Sequence, residues 1–259
     1  MRASQAKYLR AALPLLAVSF VAGCGMPGPF NADHTASADA NRPSLRAARA
    51  AMMEGQAETA LAIAHGVLVS QPNDVAALVD AGDADMQLGN RRTAEKEYRQ
   101  ALEASPSYLP ARLGLGKLKM RDDIKGAEAE FRTVLASAPH DAAALTDLGV
   151  ALDLQERHKE AQAAYTAAMI SNPDLTSTRV DMGLSLALSG KPQQAEEMLR
   201  SAVESGPVPA KVRADLAVAE VIEGKKDDAA LMLQADLSAD EAKASVDALS
   251  ALAPATKKN

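Results

Sequence analysis

Residues 75–108 read VAALVDAGDADMQLGNRRTAEKEYRQALEASPSY, and this stretch decides the fold. Within it Leu78, Gly82, Gly89, Ala94, Tyr98, Ala101 and Pro106 stand at offsets that return elsewhere in the chain. Pro72, Pro106, Pro139, Pro173 and Pro207 are spaced 34, 33, 34 and 34 residues apart. Ala60, Ala94, Ala127, Ala161, Ala195 and Ala229 are spaced 34, 33, 34, 34 and 34. Both series carry the same one-residue deletion, between positions 106 and 127. Two residue types that share a period and a deletion define a repeated unit.

Composition says what the unit is made of. The 259 residues are 47% apolar, yet 56 of them are Ala, there is no Trp, and aromatics make up 3%. Ala is the best helix former and a poor strand former. The chain is therefore predicted to be all-α, with many helices meeting through small residues, and an all-β sandwich is excluded. With 15 Gly, 13 Pro and one Cys it is neither collagen-like nor a disulfide framework. A formal net charge of −6 argues against a nucleic-acid partner.

The first residues read as an address. Arg2, Lys7 and Arg10 precede an uncharged, mostly apolar run from Ala11 to Ala22. A basic start, a dozen apolar residues and a small-residue end make an export signal. The run falls short of the ~20 residues a transmembrane helix needs. Its end, Val21-Ala22-Gly23-Cys24, resembles the lipobox of bacterial lipoproteins. That resemblance implies cleavage after residue 23 and lipidation of Cys24. Loss of the three basic residues takes the formal charge from −6 to −9. More than one acyl chain gives stable anchoring, and Gly25, where an Asp would signal retention, implies the outer membrane. Residues 24–40 then form a flexible tether, whose 16 residues beyond Cys24 span roughly 22 Å as a coil.

The period and pattern of residues 41–237 resemble the tetratricopeptide repeat. The resemblance implies a right-handed α-solenoid of six helix pairs, in units 41–74, 75–108, 109–141, 142–175, 176–209 and 210–237. Ala48, Gly82, Gly116, Gly149, Gly183 and Ala217 fall where the helices of a pair cross, and only small residues permit that approach. Tyr98, Phe131 and Tyr165 share one position and fill the gap toward the next pair. Pro ends each second helix, and Asn73-Asp74, Asp141 and Asp174 are placed to cap the next one. Ser238 to Glu241 is a capping box opening a terminal capping helix over 238–253, followed by a tail over 254–259.

In this family the first helices line a concave groove. The matching positions are Val79, Asp83 and Met86; Leu113, Lys117 and Met120; Thr146, Val150 and Asp153; and Val180, Leu184 and Ala187. Such a face is apolar with a few charges, Met supplies adaptable contact, and it suits an extended or helical segment of a protein partner. No enzyme is expected, and no cofactor, metal or small-molecule substrate. His34, His65, His140 and His158 are scattered without metal-ligand spacing. Gly114-Leu-Gly116 lies within a helix and is packing, not a phosphate cradle.

The run Leu148-Gly-Val-Ala-Leu-Asp-Leu154, with Arg157-His158, Glu160 to Tyr165, Met182 to Gly190, Val212 to Ala217 and Asp236-Leu-Ser238, resembles the TadD family of repeat lipoproteins. That family belongs to the tight-adherence, or Flp pilus, system. The resemblance implies a pilotin-like scaffold on the periplasmic face of the outer membrane, binding a secretin or pilus assembly component. Two other readings stay open. One is a repeat lipoprotein of another envelope machine, serving a type IV pilus secretin or outer-membrane protein assembly. The other is an accessory subunit of a periplasmic enzyme.

Overall fold

Three aspartates open helices by accepting a backbone amide that has no partner within the helix. Asp74 accepts from the Ala77 N–H at 2.8 Å, Asp123 from Gly126 at 2.9 Å, and Asp141 from Ala144 at 3.0 Å. Each such cap is worth about 1 kcal/mol. The computed structural model in which they are seen describes residues 42–201 and 209–252. The export signal, Cys24, the tether and the tail lie outside the described residues.

The described residues form thirteen helices and no strand. In the first of two compact units stand α1 (Pro43–Met53), α2 (Ala57–Ser70), α3 (Val75–Gln87), α4 (Arg91–Ala104), α5 (Leu109–Lys119) and α6 (Ile124–Ser137). The division between Asp147 and Leu148 falls inside α7 (Ala142–Asp153). The second unit holds α8 (His158–Ser171), α9 (Thr176–Leu188), α10 (Pro192–Ser201), α11 (Ala210–Glu223), α12 (Lys226–Leu233) and α13 (Ala239–Leu252). Six helix pairs and one closing helix make the all-α solenoid that the period predicts.

Asp174 departs from the expected pattern of caps. α9 starts at Thr176, with Leu175 at its cap and no side chain bonding there. Asp174 stands one residue too far out, and its N–H instead donates to Asn172 Oδ1 at 3.2 Å.

In five of the six pairs the turn uses a left-handed residue, the exception being the third, where α6 is capped by Asp123 at φ −141°. Gly55, Gly89, Gly190 and Gly224 supply it, with φ between 75° and 86°. The fourth pair puts Glu156 there, at φ 61°. A side chain in this region costs about 1–2 kcal/mol. Glu156→Gly is therefore expected to raise the stability of the second unit by roughly 1 kcal/mol, read as an upward shift of its urea midpoint.

The periodic small residues make room for a ring. A Cβ on Gly116 would lie 2.4 Å from Phe131 Cε1, and one on Gly149 would lie 2.4 Å from Tyr165 Cε1. Gly82 meets Tyr98 in the same way at 2.7 Å, and Gly114 of the next pair meets the same ring at 2.5 Å. Tyr98 is thus gripped between two bare helix surfaces, and Ala94, Ala101 and Ala111 pack in the same apolar cluster. In the fifth pair Leu199 takes the aromatic position against Gly183. At the far end, Ser238 and Glu241 form the capping box, with Ser238 N–H donating to Glu241 Oε2 at 3.0 Å. Ala242, Val246 and Leu249 of α13 then cover Ala217, Val221, Ala229 and Leu233.

Candidate partner-binding face

The first helices of the pairs carry the twelve residues expected to face a partner, and burial sorts them. In the first unit Val79 is buried in the cluster around Tyr98. Asp83, Met86, Leu113, Met120 and Thr146 are half-buried, and Lys117 is exposed. In the second unit Val150 and Leu184 are half-buried. Val180 packs with Leu199, Val212 and Leu216, and Ala187 with Leu186, Ala195 and Ala219, so both are core.

Of the two carboxylates among these twelve residues, Asp83 is the half-buried one. Tyr98 Oη donates to its Oδ1 at 2.6 Å. Burial pushes the Asp83 carboxyl up, against the Tyr98 hydrogen bond and the charges of Lys117 and Arg49, which lower it. Burial likewise pushes the Tyr98 hydroxyl well above its ordinary value, so it stays a donor.

Asp153 has the opposite setting. It is buried, and its carboxylate accepts from Tyr165 Oη at 3.0 Å and from Ser185 Oγ at 2.8 Å. His158 Nδ1 stands 2.8 Å from the same carboxylate. One side chain thereby ties α7, α8 and α9 together. The trio of Ser185, His158 and Asp153 has catalytic residue types without catalytic order. Serine and histidine both bond the aspartate, so no base stands on the hydroxyl.

A further series escaped the sequence reading. Asp80, Asp147, Asp181 and Asp215 occupy one repeat position, and a base pairs with each. Arg49 meets Asp80 at 2.9 Å and Lys117 meets Asp147 at 3.6 Å. Lys211 lies 2.5 Å from Asp181 and 3.7 Å from Asp215. The spacing of 34 residues from Asp147 to Asp181 to Asp215 was the available signal. Among the described residues, no group of three or more His, Cys, Asp or Glu is placed to hold a metal ion. No described helix is long and apolar enough to cross a membrane.

Stacked helix pairs with half-exposed Met, Leu and Lys on the first helices define a repeat scaffold of the kind that binds other proteins. The chain belongs to the tetratricopeptide repeat family, which matches residues 79–122, 113–175 and 180–242. Members of this family are generally non-catalytic scaffolds for protein interaction. No curated protein matches the chain in sequence. Among solved structures it is similar to PilW, described as a widely conserved type IV pilus biogenesis factor. The identity is 20%, the match covers 78% of this chain and 96% of that one, and the TM-score is 0.67. Pseudomonas aeruginosa PilF is 22% identical over 69% of this chain and 88% of its own, with a TM-score of 0.56. A repeat protein of Thermus thermophilus is 18% identical over 68% of this chain and 96% of its own, with a TM-score of 0.61. At these identities the likeness is one of fold.

Proposed function

We propose that this protein is a TadD-like repeat lipoprotein that serves Flp pilus assembly from the periplasmic face of the outer membrane. The observation that carries the reading is a lipobox ending at Cys24 directly ahead of an array of tetratricopeptide repeats. The residue run from Leu148 to Ser238 supports the choice of the Tad system. The lipid on Cys24 holds the chain at the membrane, and the first helices offer Met86, Met120, Leu113 and Lys117 to a segment of a secretin subunit or pilus component. Apolar burial sets the affinity, and the fixed charges set the register.

The reading is tested by purifying the native protein from its membrane with the proteins bound to it. Recovery of a secretin or pilus component, together with loss of pili on deletion, is the expected result. Recovery of neither, with pili intact, overturns it. Cys24→Ser is expected to move the protein from the membrane fraction to the soluble periplasm. A variant that still fractionates with the membrane removes the anchor from the proposal.

A second reading is favoured by the fold likeness to PilW and PilF. In it the same scaffold serves a type IV pilus secretin. The neighbouring genes decide between the two, since a Flp prepilin and a Tad secretion ATPase belong only to the first.

A further inference from the structure

Asp80, Asp147, Asp181 and Asp215 share a repeat position but not a supply of charge. In the first unit each acid takes a base from the preceding pair, Arg49 for Asp80 and Lys117 for Asp147. Those bases stand 31 and 30 residues ahead of their acids. Where the base position holds Asp83 instead, the following pair has Gly114 at the acid position. The second unit breaks this pattern. Its base positions hold Val150, 31 residues ahead of Asp181, and Leu184, 31 residues ahead of Asp215. Lys211 alone serves both acids, at 2.5 Å from Asp181 and 3.7 Å from Asp215. The cluster thus has two carboxylates and one ammonium.

The missing base belongs on the groove. By the repeat register Val150 lies beside Asp181. The bond from Ser185 Oγ to Asp153 at 2.8 Å agrees, because Ser185 stands one turn after Asp181 and Asp153 one turn after Val150. Val150 is half-buried, and Asp181 keeps 19% of its side chain exposed. Asp215 is fully buried, and neither of its oxygens accepts a hydrogen bond. A buried carboxylate left in that state is costly unless a cation neutralises it. The surroundings are apolar. Leu184, one turn after Asp181, and Ala214 and Val218 of α11 are half-buried and pack on one cluster.

We infer that the groove of the second unit takes a basic side chain of a protein segment, an arginine or lysine set over Val150 beside Asp181, with apolar neighbours of that side chain on Leu184, Ala214 and Val218. The incoming cation stands to Asp181 as Lys117 stands to Asp147 in the first unit. Lys211 is then left to Asp215, four residues along its own helix. Charge defines the occupant, since a neutral or acidic segment leaves the two acids short of a cation. This occupancy requires only that the first helices bind protein segments. It depends neither on the pilus reading nor on a lipid at Cys24.

A random dodecapeptide library displayed on phage, selected against the full chain in mild detergent, tests this. The expected binders carry one Arg or Lys flanked by apolar residues, and the tightest of them is made as a labelled peptide. Asp181→Asn is expected to weaken that peptide roughly tenfold, and so is norleucine in place of its basic residue. The two changes together cost no more than either alone, because they remove one contact. Val150→Lys supplies the missing base from the chain itself and weakens the peptide to a similar degree. Asp215→Asn also weakens it without touching it, since Lys211 and Asp181 then balance. Asp247→Asn removes one charge from an exposed site on α13 and leaves binding as it was. Binders that lack a basic residue overturn the inference, as does the absence of binders. So does a basic peptide that Asp181→Asn or Val150→Lys binds as tightly as the unaltered chain. None of these readouts involves a pilus component or the membrane, so this site and the pilus reading fail separately.

Discussion

Asp153→Ala is expected to destabilise the second unit by roughly 2–6 kcal/mol, because two buried hydroxyls lose the acceptor they share. The substitution removes the acceptor to which Tyr165 Oη and Ser185 Oγ, both buried, donate, and the oxygen beside His158 Nδ1. Each unsatisfied buried group costs about 1–3 kcal/mol, and a cavity adds to the loss. Asp153→Asn keeps an acceptor for the two hydroxyls and should lose markedly less. Urea unfolding monitored by hydrogen exchange over α8 and α9 reads both variants. A midpoint for Asp153→Ala equal to the unaltered protein would show that Asp153 is not the tie between these helices, and would return it to the partner-binding face.

Asp215 is expected to make the second unit less stable at pH 8 than at pH 5. Its side chain is fully buried within α11, and neither carboxylate oxygen accepts a hydrogen bond. The charges that bear on it are Lys211, 3.7 Å away on the same helix, and Asp181 of α9. Lys211 sits closer to Asp181, at 2.5 Å, so one cation is shared between two acids. Burial pushes the Asp215 carboxyl from 3.8 up to about 7, with Lys211 opposing that rise and Asp181 adding to it. A folded-state value above the unfolded one means that the folded chain holds the proton more tightly. The stabilisation is complete below about pH 4 and is lost as pH rises through about 7. From pH 5 up to about 7 the loss runs over about two pH units, or about 3 kcal/mol at 1.36 kcal/mol each. Asp215→Asn removes the titration, so its stability should stay level across this window and exceed that of the unaltered protein at pH 8. A thermal midpoint of the second unit that is equal at pH 5 and pH 8 in the unaltered protein would sink the claim.

Asp83 and Asp153 show where sequence reading stops. Asp83 and Asp153 both stand at positions that the family resemblance assigns to the groove. Asp83 is half-buried with one tyrosine on it, whereas Asp153 is buried under three partners. The difference comes from Ser185 and His158, which belong to neighbouring helices and are invisible to a local pattern. Val180 and Ala187 are core by the same route, since side chains of adjacent pairs close over them. By contrast, the glycines against Tyr98, Phe131 and Tyr165 were legible, because a ring and a bare Cα recurring in step allow few other arrangements. The role of those glycines was only half legible. Their smallness admits a side chain from the paired helix.

The sequence by itself determined the period, the number of helix pairs, the turn glycines and the capping box that opens α13. All of these depend on residues within one repeat length, where steric and hydrogen-bonding demands are local. The tertiary structure alone decided which carboxylates of the first helices face solvent and which are locked inside. It also decided that Lys211 divides itself between Asp181 and Asp215. Burial of a polar group depends on what the adjoining repeats place over it, and one helix face carries no record of its neighbours.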